Sequence, residues 1–177
     1  MHALIISTAK SPTNIPSSLL PMKGRAVIDL LISDILNQKE VSKITIYTTS
    51  ELLSIHQKHF SNSFPVSSIE LTTDIDYIKV IHEDLLVCEG KIYSSLKMQD
   101  FIQAFRQFKR ITTASFKAED KELYIPYFVV PQSEANVLLE YPAKTNGFTL
   151  TSFHAWLEAK NIPPYVFKSG TGFCVSL

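Results

Sequence analysis

The sequence predicts an α/β protein, a single three-layer domain over residues 1–177 built on a central, mostly parallel (mixed) sheet. Two patterns and the chain length point that way. Short apolar runs without helical period at 4–7, 43–48 and 84–90 read as buried strands. Each is followed by a segment whose apolar residues recur at helical spacing. At 177 residues, with 45% hydrophobic and 19% charged side chains, the chain can bury one sizeable core and is too short for two ordinary domains.

The elements follow in order. Residues 4–7 form the first strand, and Pro12, Pro16 and Pro21 make the next stretch a loop. Over 25–37, Val27, Ile28, Leu31, Ile32, Ile35 and Leu36 give a helix with one broad buried face. Residues 43–48 form the second strand, and Ser50 caps a helix over 51–60. A loop containing Pro65 is expected at 61–68, a short strand at 69–71 and a short helix at 74–80. The strand at 84–90 ends in Gly90, and Met98, Phe101, Ile102, Phe105 and Phe108 mark a strongly amphipathic helix. Strands are expected at 111–116 and 123–130, where Pro126 implies an edge or a bulge and Pro131 a stop. After Pro142 and Gly147, Thr149 or Thr151 caps a helix that runs through Glu158 and stops before Pro163. Residues 165–167 and 173–175 should form two short strands, paired as a hairpin around Gly170 and Gly172.

Composition excludes several classes of function. Seventeen basic residues balance 17 acidic ones, so no overall field draws the chain to nucleic acid or anionic lipid. No segment approaches the roughly 20 apolar residues of a membrane span, and the apolar start at residues 3–6 runs straight into Ser7, Thr8 and Lys10. Cys88 and Cys174, each in an apolar run, read as two buried free thiols. No nucleic-acid or membrane partner is expected, and the cytoplasm is the default location.

Several clusters carry chemistry only on paper. His56 and His59 stand three apart on one helix, but with no carboxylate nearby in sequence they read as an exposed face rather than a zinc site. Asp74 and Asp76 read as a turn and helix cap rather than metal ligands. His154 reads as a surface residue, and Cys88 as packing rather than a thiol paired with His82. Arg106, Lys109 and Arg110 beside Phe105 and Phe108 read as the solvated end of a helix.

Four blocks in order resemble the sugar-phosphate nucleotidyltransferases. They are the opening strand with Leu19-Leu20-Pro21 and Gly24-Arg25, the helix and strand through Tyr47-Thr48-Thr49, the run Leu85 to Lys91, and the stretch 147–175. The resemblance implies a nucleotidyltransferase-like, Rossmann-type fold and a cleft bounded by Ser7, Thr8, Ala9, Lys10, Glu89, Gly90 and Lys91. It also implies a glycine-rich loop for the triphosphate, yet residues 7–12 hold no glycine and only Lys10 as a cation. The family's phosphate-binding lysine aligns with Ser17, and its two metal-binding aspartates align with Lys91 and Ser176. Glu89 and Lys10 are then the only catalytic candidates.

The expectation is a shortened, catalytically degenerate relative with a regulatory or structural role. It would bind a nucleotide or sugar phosphate weakly, if at all, and associate with itself or with an active paralogue. No metal site and no cofactor are expected, with Mg²⁺ needed only if the chain is active. One rival is an active enzyme moving NMP from an NTP to a sugar phosphate or similar phosphorylated acceptor through Lys10, Glu89 and a further metal ligand. The other is a ligand-free assembly module.

Overall fold

The computed structural model describes residues 1–63, 69–117, 123–142, 148–168 and 174–176. Strand β1 (His2–Ser7) is buried along its length. Its alternate side chains feed two cores, Ala3 and Ile5 on one face of the sheet and Leu4 and Ile6 on the other. A 3-10 turn at Ser17–Leu19 follows, then a ribbon of β2 (Pro21–Met22) and β3 (Arg25–Ala26). Lys23 and Gly24 close the ribbon at φ of 52° and 80°, the left-handed pair that a two-residue hairpin turn requires.

Helix α1 (Val27–Leu36) buries Val27, Ile28, Leu31, Ile32 and Ile35. Next come β4 (Lys43–Thr48), α2 (Ser50–Ser63) and β5 (Ile69–Thr72). A 3-10 turn at Ile75–Val80 starts where the Asp74 carboxylate accepts from the Asp76 N–H, the cap expected from sequence. Then follow β6 (Leu85–Glu89), β7 (Ile92–Ser94), α3 (Met98–Phe108), β8 (Thr112–Lys117) and β9 (Leu123–Val130). The described chain ends with α4 (Asn136–Glu140), α5 (Leu150–Ala159), β10 (Tyr165–Lys168) and β11 (Cys174–Ser176).

The main sheet has 7 strands in the order β10-β8-β9-β6-β1-β4-β5. β1 lies parallel to both β4 and β6, while β9 runs antiparallel to β6 and β8, so the sheet is mixed. Side chains of α1 and α3, with Phe60 of α2, pack on one face. The 3-10 turn at Ile75–Val80, α4 and α5 contribute to the core on the other. From β1 the chain steps outward through β4 and β5, then returns to place β6 on the opposite flank of β1. That reversal leaves a crevice at the carboxyl ends of β1 and β6, where ligands of open α/β sheets bind.

Five expectations are corrected. The C-terminal strands do not form a hairpin: β10 pairs parallel with β8, and β11 pairs antiparallel with β7. Each short strand finds a separate open edge, and Gly170 and Gly172 lie outside the described residues, as does Gly147. Of the edge or bulge that Pro126 implied, the structure has the bulge. β9 is internal, and its register against β8 slips between Ala114 and Phe116, so Pro126 sits in a bulge where pairing with β6 has already stopped at Tyr127. α2 runs on to Ser63, three residues into the segment expected as loop, whose Pro65 is outside the described residues.

Cys174 is partly exposed, whereas Cys88 is buried. His56 is fully buried, and His59 pairs with Asp29 of α1 at 2.8 Å, so the two do not make an exposed face. His154 is 8% exposed and packs beside Phe128. The basic end of α3 is engaged locally: Arg106 pairs with Glu40, Arg110 donates to the Pro163 carbonyl, and Phe108 stacks on Tyr165.

Candidate functional site

At the carboxyl ends of β1 and β6 lies a cavity of about 180 Å³. It is lined by Ile6, Ser7, Thr8 and Ala9 at and after the end of β1, Ser18 of the 3-10 turn, Glu89 at the end of β6, Lys91 in the turn that follows, and Phe148 and Thr149 just before α5. As bounded by the described residues, it suits a fragment-sized group, since pockets for whole small molecules run to roughly 300–1,000 Å³.

Glu89 is the acid of the site and is only 4% exposed. Its carboxylate accepts the Leu150 N–H at 3.0 Å, at the positive end of α5, and the Lys91 ammonium stands 3.5 Å away. Burial pushes its pKa above the usual carboxylate range, against the opposing pull of the Leu150 N–H and Lys91. Thr149 caps the same helix, its hydroxyl accepting from the Ser152 N–H at 3.1 Å. The end of β6 and the start of α5 are therefore tied through one carboxylate.

Across the sheet, three polar side chains meet. The Ser7 hydroxyl lies 2.8 Å from His56 Nε2, and Ser18 Oγ lies 2.6 Å from Ser7 Oγ. His56 Nδ1 is 3.0 Å from the Leu52 carbonyl, which can only accept, so the ring proton belongs on Nδ1 and Nε2 accepts from Ser7. Burial lowers the His56 pKa and keeps the imidazole neutral. Sequence reasoning missed this cluster, although a signal was present. Leu52, His56 and Phe60 recur every four residues, which places the histidine in an apolar row of α2.

Of the residues expected to bound the cleft, Ser7, Thr8, Ala9, Glu89 and Lys91 line it. Gly90 lies beneath: a side chain there would meet the Ile6 carbonyl at 3.0 Å and Ile5 Cγ2 at 3.1 Å, so β1 and the turn after β6 approach through it. Lys10 is not part of the lining and forms an ion pair with Glu51 of α2. Its loop folds on itself through the bonds Ser11 N–H to Ile15 O and Ser17 N–H to Ala9 O. Ser17 is buried. Ser176 pairs with Ile92, next to Lys91, so the two positions at which the resemblance implied aspartates are neighbours in space. Among the described residues, no three His, Cys, Asp or Glu side chains converge as a metal-binding group.

Strand order, mixed sheet and switch-point cavity define a nucleotidyltransferase-like α/β fold. Its structural neighbours are sugar-phosphate nucleotidyltransferases. UDP-glucose pyrophosphorylase from Acinetobacter baumannii superposes with a TM-score of 0.70 at 12% identity, covering 98% of this chain and 87% of the other. The 4-diphosphocytidyl-2C-methyl-D-erythritol synthase of Anaerococcus prevotii gives 0.68 at 13% identity, covering 96% and 89%. HddC from Yersinia pseudotuberculosis, complexed with GMP-PN, gives 0.62 at 11% identity over 99% and 92%. No family model matches the chain, and no curated protein matches it by sequence. At these identities the likeness is one of fold.

Proposed function

We propose that this chain is a nucleotidyltransferase-like domain that does not transfer nucleotides. Its cleft holds a nucleotide or sugar phosphate weakly, in a regulatory or structural role beside a second copy or an active relative. The observation that carries this reading is the pair of Lys91 and Glu89. Nucleotidyl transfer to a phosphorylated acceptor needs a cation that neutralises charge on the transferring phosphate, and Mg²⁺ takes hard oxygen ligands in near-octahedral geometry.

Here the carboxylate that faces the cavity is committed to the Leu150 N–H, and an ammonium stands where a second carboxylate would be needed. One carboxylate, one ammonium and several hydroxyls are a donor set that does not fit Mg²⁺. The lining suits a single phosphoryl group better than a metal-bound triphosphate, with Lys91 as its cation. Residues 7–16 contain no glycine to bring backbone N–H groups onto a triphosphate, and Lys10 is held by Glu51.

Calorimetry with each of the four nucleoside triphosphates and Mg²⁺ tests the reading. A dissociation constant weaker than about 1 mM, near −4.1 kcal/mol, is expected for every one. A micromolar value for any of them overturns it.

A further inference from the structure

The cavity at the ends of β1 and β6 carries one charge of each sign, and that balance decides what can enter it. We propose, on the reading of the cleft as a phosphoryl site, that Lys91 binds a singly charged phosphoryl group together with one proton, which goes to Glu89. Glu89 and Lys91 are the only charged side chains among the lining residues, and they stand 3.5 Å apart. With both ionised the pair sums to zero, so an incoming anion gains one attraction and meets one repulsion. Ile6, Ala9 and Phe148 supply apolar wall to a cavity of about 180 Å³, which leaves little water to screen that repulsion.

The two partners differ in reach. The Lys91 side chain is 26% exposed, whereas that of Glu89 is 6% exposed, so the ligand meets the ammonium and the carboxylate acts only through its charge. A proton on Glu89 removes the repulsion and leaves the ammonium to the ligand. One unopposed cation then matches one negative charge. Lys10, the nearest other cation in the loop after β1, is held by Glu51 and lies outside the lining, so a second charge has no partner.

The proton has a prepared seat. Glu89 Oε2 accepts the Leu150 N–H at 3.0 Å, and Oε1 is the oxygen nearer Lys91. A carboxylic acid protonated on Oε1 still accepts through Oε2, so the start of α5 stays tied to β6 in either state. Burial already favours the neutral acid. Other titratable groups do not take its place: β1 and β9 bring no charged side chain to this end of the sheet, His154 of α5 pairs with Glu158 at 3.8 Å, and burial pushes the Cys174 thiol of β11 up to about 12.

The test titrates the full chain with dimethyl phosphate, a diester that carries one negative charge from pH 5.5 to 8.5, and follows the amide signals of Leu150 and Lys91 by NMR. The dissociation constant should rise at least ~10-fold across that range, and calorimetry at pH 7 in two buffers of different ionisation enthalpy should show proton uptake on binding. Glu89→Gln keeps an acceptor for the Leu150 N–H without the charge, and should bind at pH 8.5 as tightly as the parent does at pH 5.5. Lys91→Met should bind at neither pH. The parent's own profile and proton count need no variant, so the test stands if either substitution fails to fold. A dissociation constant flat with pH, no proton uptake, binding retained by folded Lys91→Met, or no shift of either amide at 50 mM ligand and pH 5.5 would overturn the proposal. Any of these leaves the reading of a cleft that does not transfer nucleotides standing, because the triphosphate titration decides that separately.

Discussion

Replacing Lys91 with methionine should destabilise the fold in a pH-dependent way. The perturbation removes the cation 3.5 Å from a carboxylate whose side chain is only 6% exposed, while Met keeps most of the apolar stem. At an effective dielectric of about 20, unit charges at that distance attract by about 5 kcal/mol before desolvation is counted. Two terms reduce that sum. Lys91 is itself partly shielded, at 26% exposure, and regains hydration when unpaired, and Glu89 can escape by taking a proton. A net loss of ~1–2 kcal/mol at pH 7.5 is the expected result.

The sign with pH follows from linkage. Burial already raises the folded pKa of Glu89 above the ordinary carboxylate range, so the folded state binds more protons than the unfolded one as pH rises past that range. Its contribution is therefore most favourable at low pH and declines as pH rises through the window up to the folded pKa. Removing Lys91 raises that pKa further and steepens the decline. Urea unfolding at pH 5 and pH 7.5 should show a clearly larger loss at the higher pH, and adding Glu89→Gln should recover most of it. Equal stability of Lys91→Met and the parent at pH 7.5 would refute the reasoning.

Three further outcomes are expected. Thr149→Ala removes the hydroxyl that caps α5 and should cost about 1 kcal/mol, a fall of roughly 2–4 °C in Tm by calorimetry. Gly90→Ala pushes a methyl group against the Ile6 carbonyl and Ile5, and should cost ~1–3 kcal/mol by urea unfolding. Lys91→Asp combined with Ser176→Asp places two carboxylates on neighbouring positions and should raise Mg²⁺ affinity in a calorimetric titration, with turnover still absent.

Much of the fold was legible because its strongest signals are local. β1 and β6 hold short apolar runs, β4 is rich in β-branched and aromatic residues, α1 and α3 carry wide apolar faces, and Thr149 caps α5. Partner choice was not local. The short strands at 165–167 and 173–175 were read as a hairpin, whereas the free edges of β8 and β7, distant in sequence, take Tyr165–Lys168 and Cys174–Ser176 separately. The site divides in the same way. Glu89 was expected at the cleft because it closes an apolar strand, and Lys91 because it follows two residues on, in what the structure shows to be a turn. His56, His59 and His154 were misread because polarity was taken as exposure. The partners that satisfy His56 and His59, Ser7, Ser18 and Asp29, lie 30 to 49 residues away in sequence, and no spacing rule reveals them.

The most direct measurement is Mg²⁺-dependent pyrophosphate release from the unaltered chain, across a panel of nucleoside triphosphates and sugar phosphates. On the proposed reading, the resemblance sets Lys91 and Ser176 where metal-binding aspartates would stand, and electrostatic stabilisation of the transferring phosphate should be largely absent. Release no faster than the protein-free background is the predicted result. Turnover above background that requires Mg²⁺ and disappears in Glu89→Gln would contradict it, and would make Glu89 the metal ligand of an active enzyme.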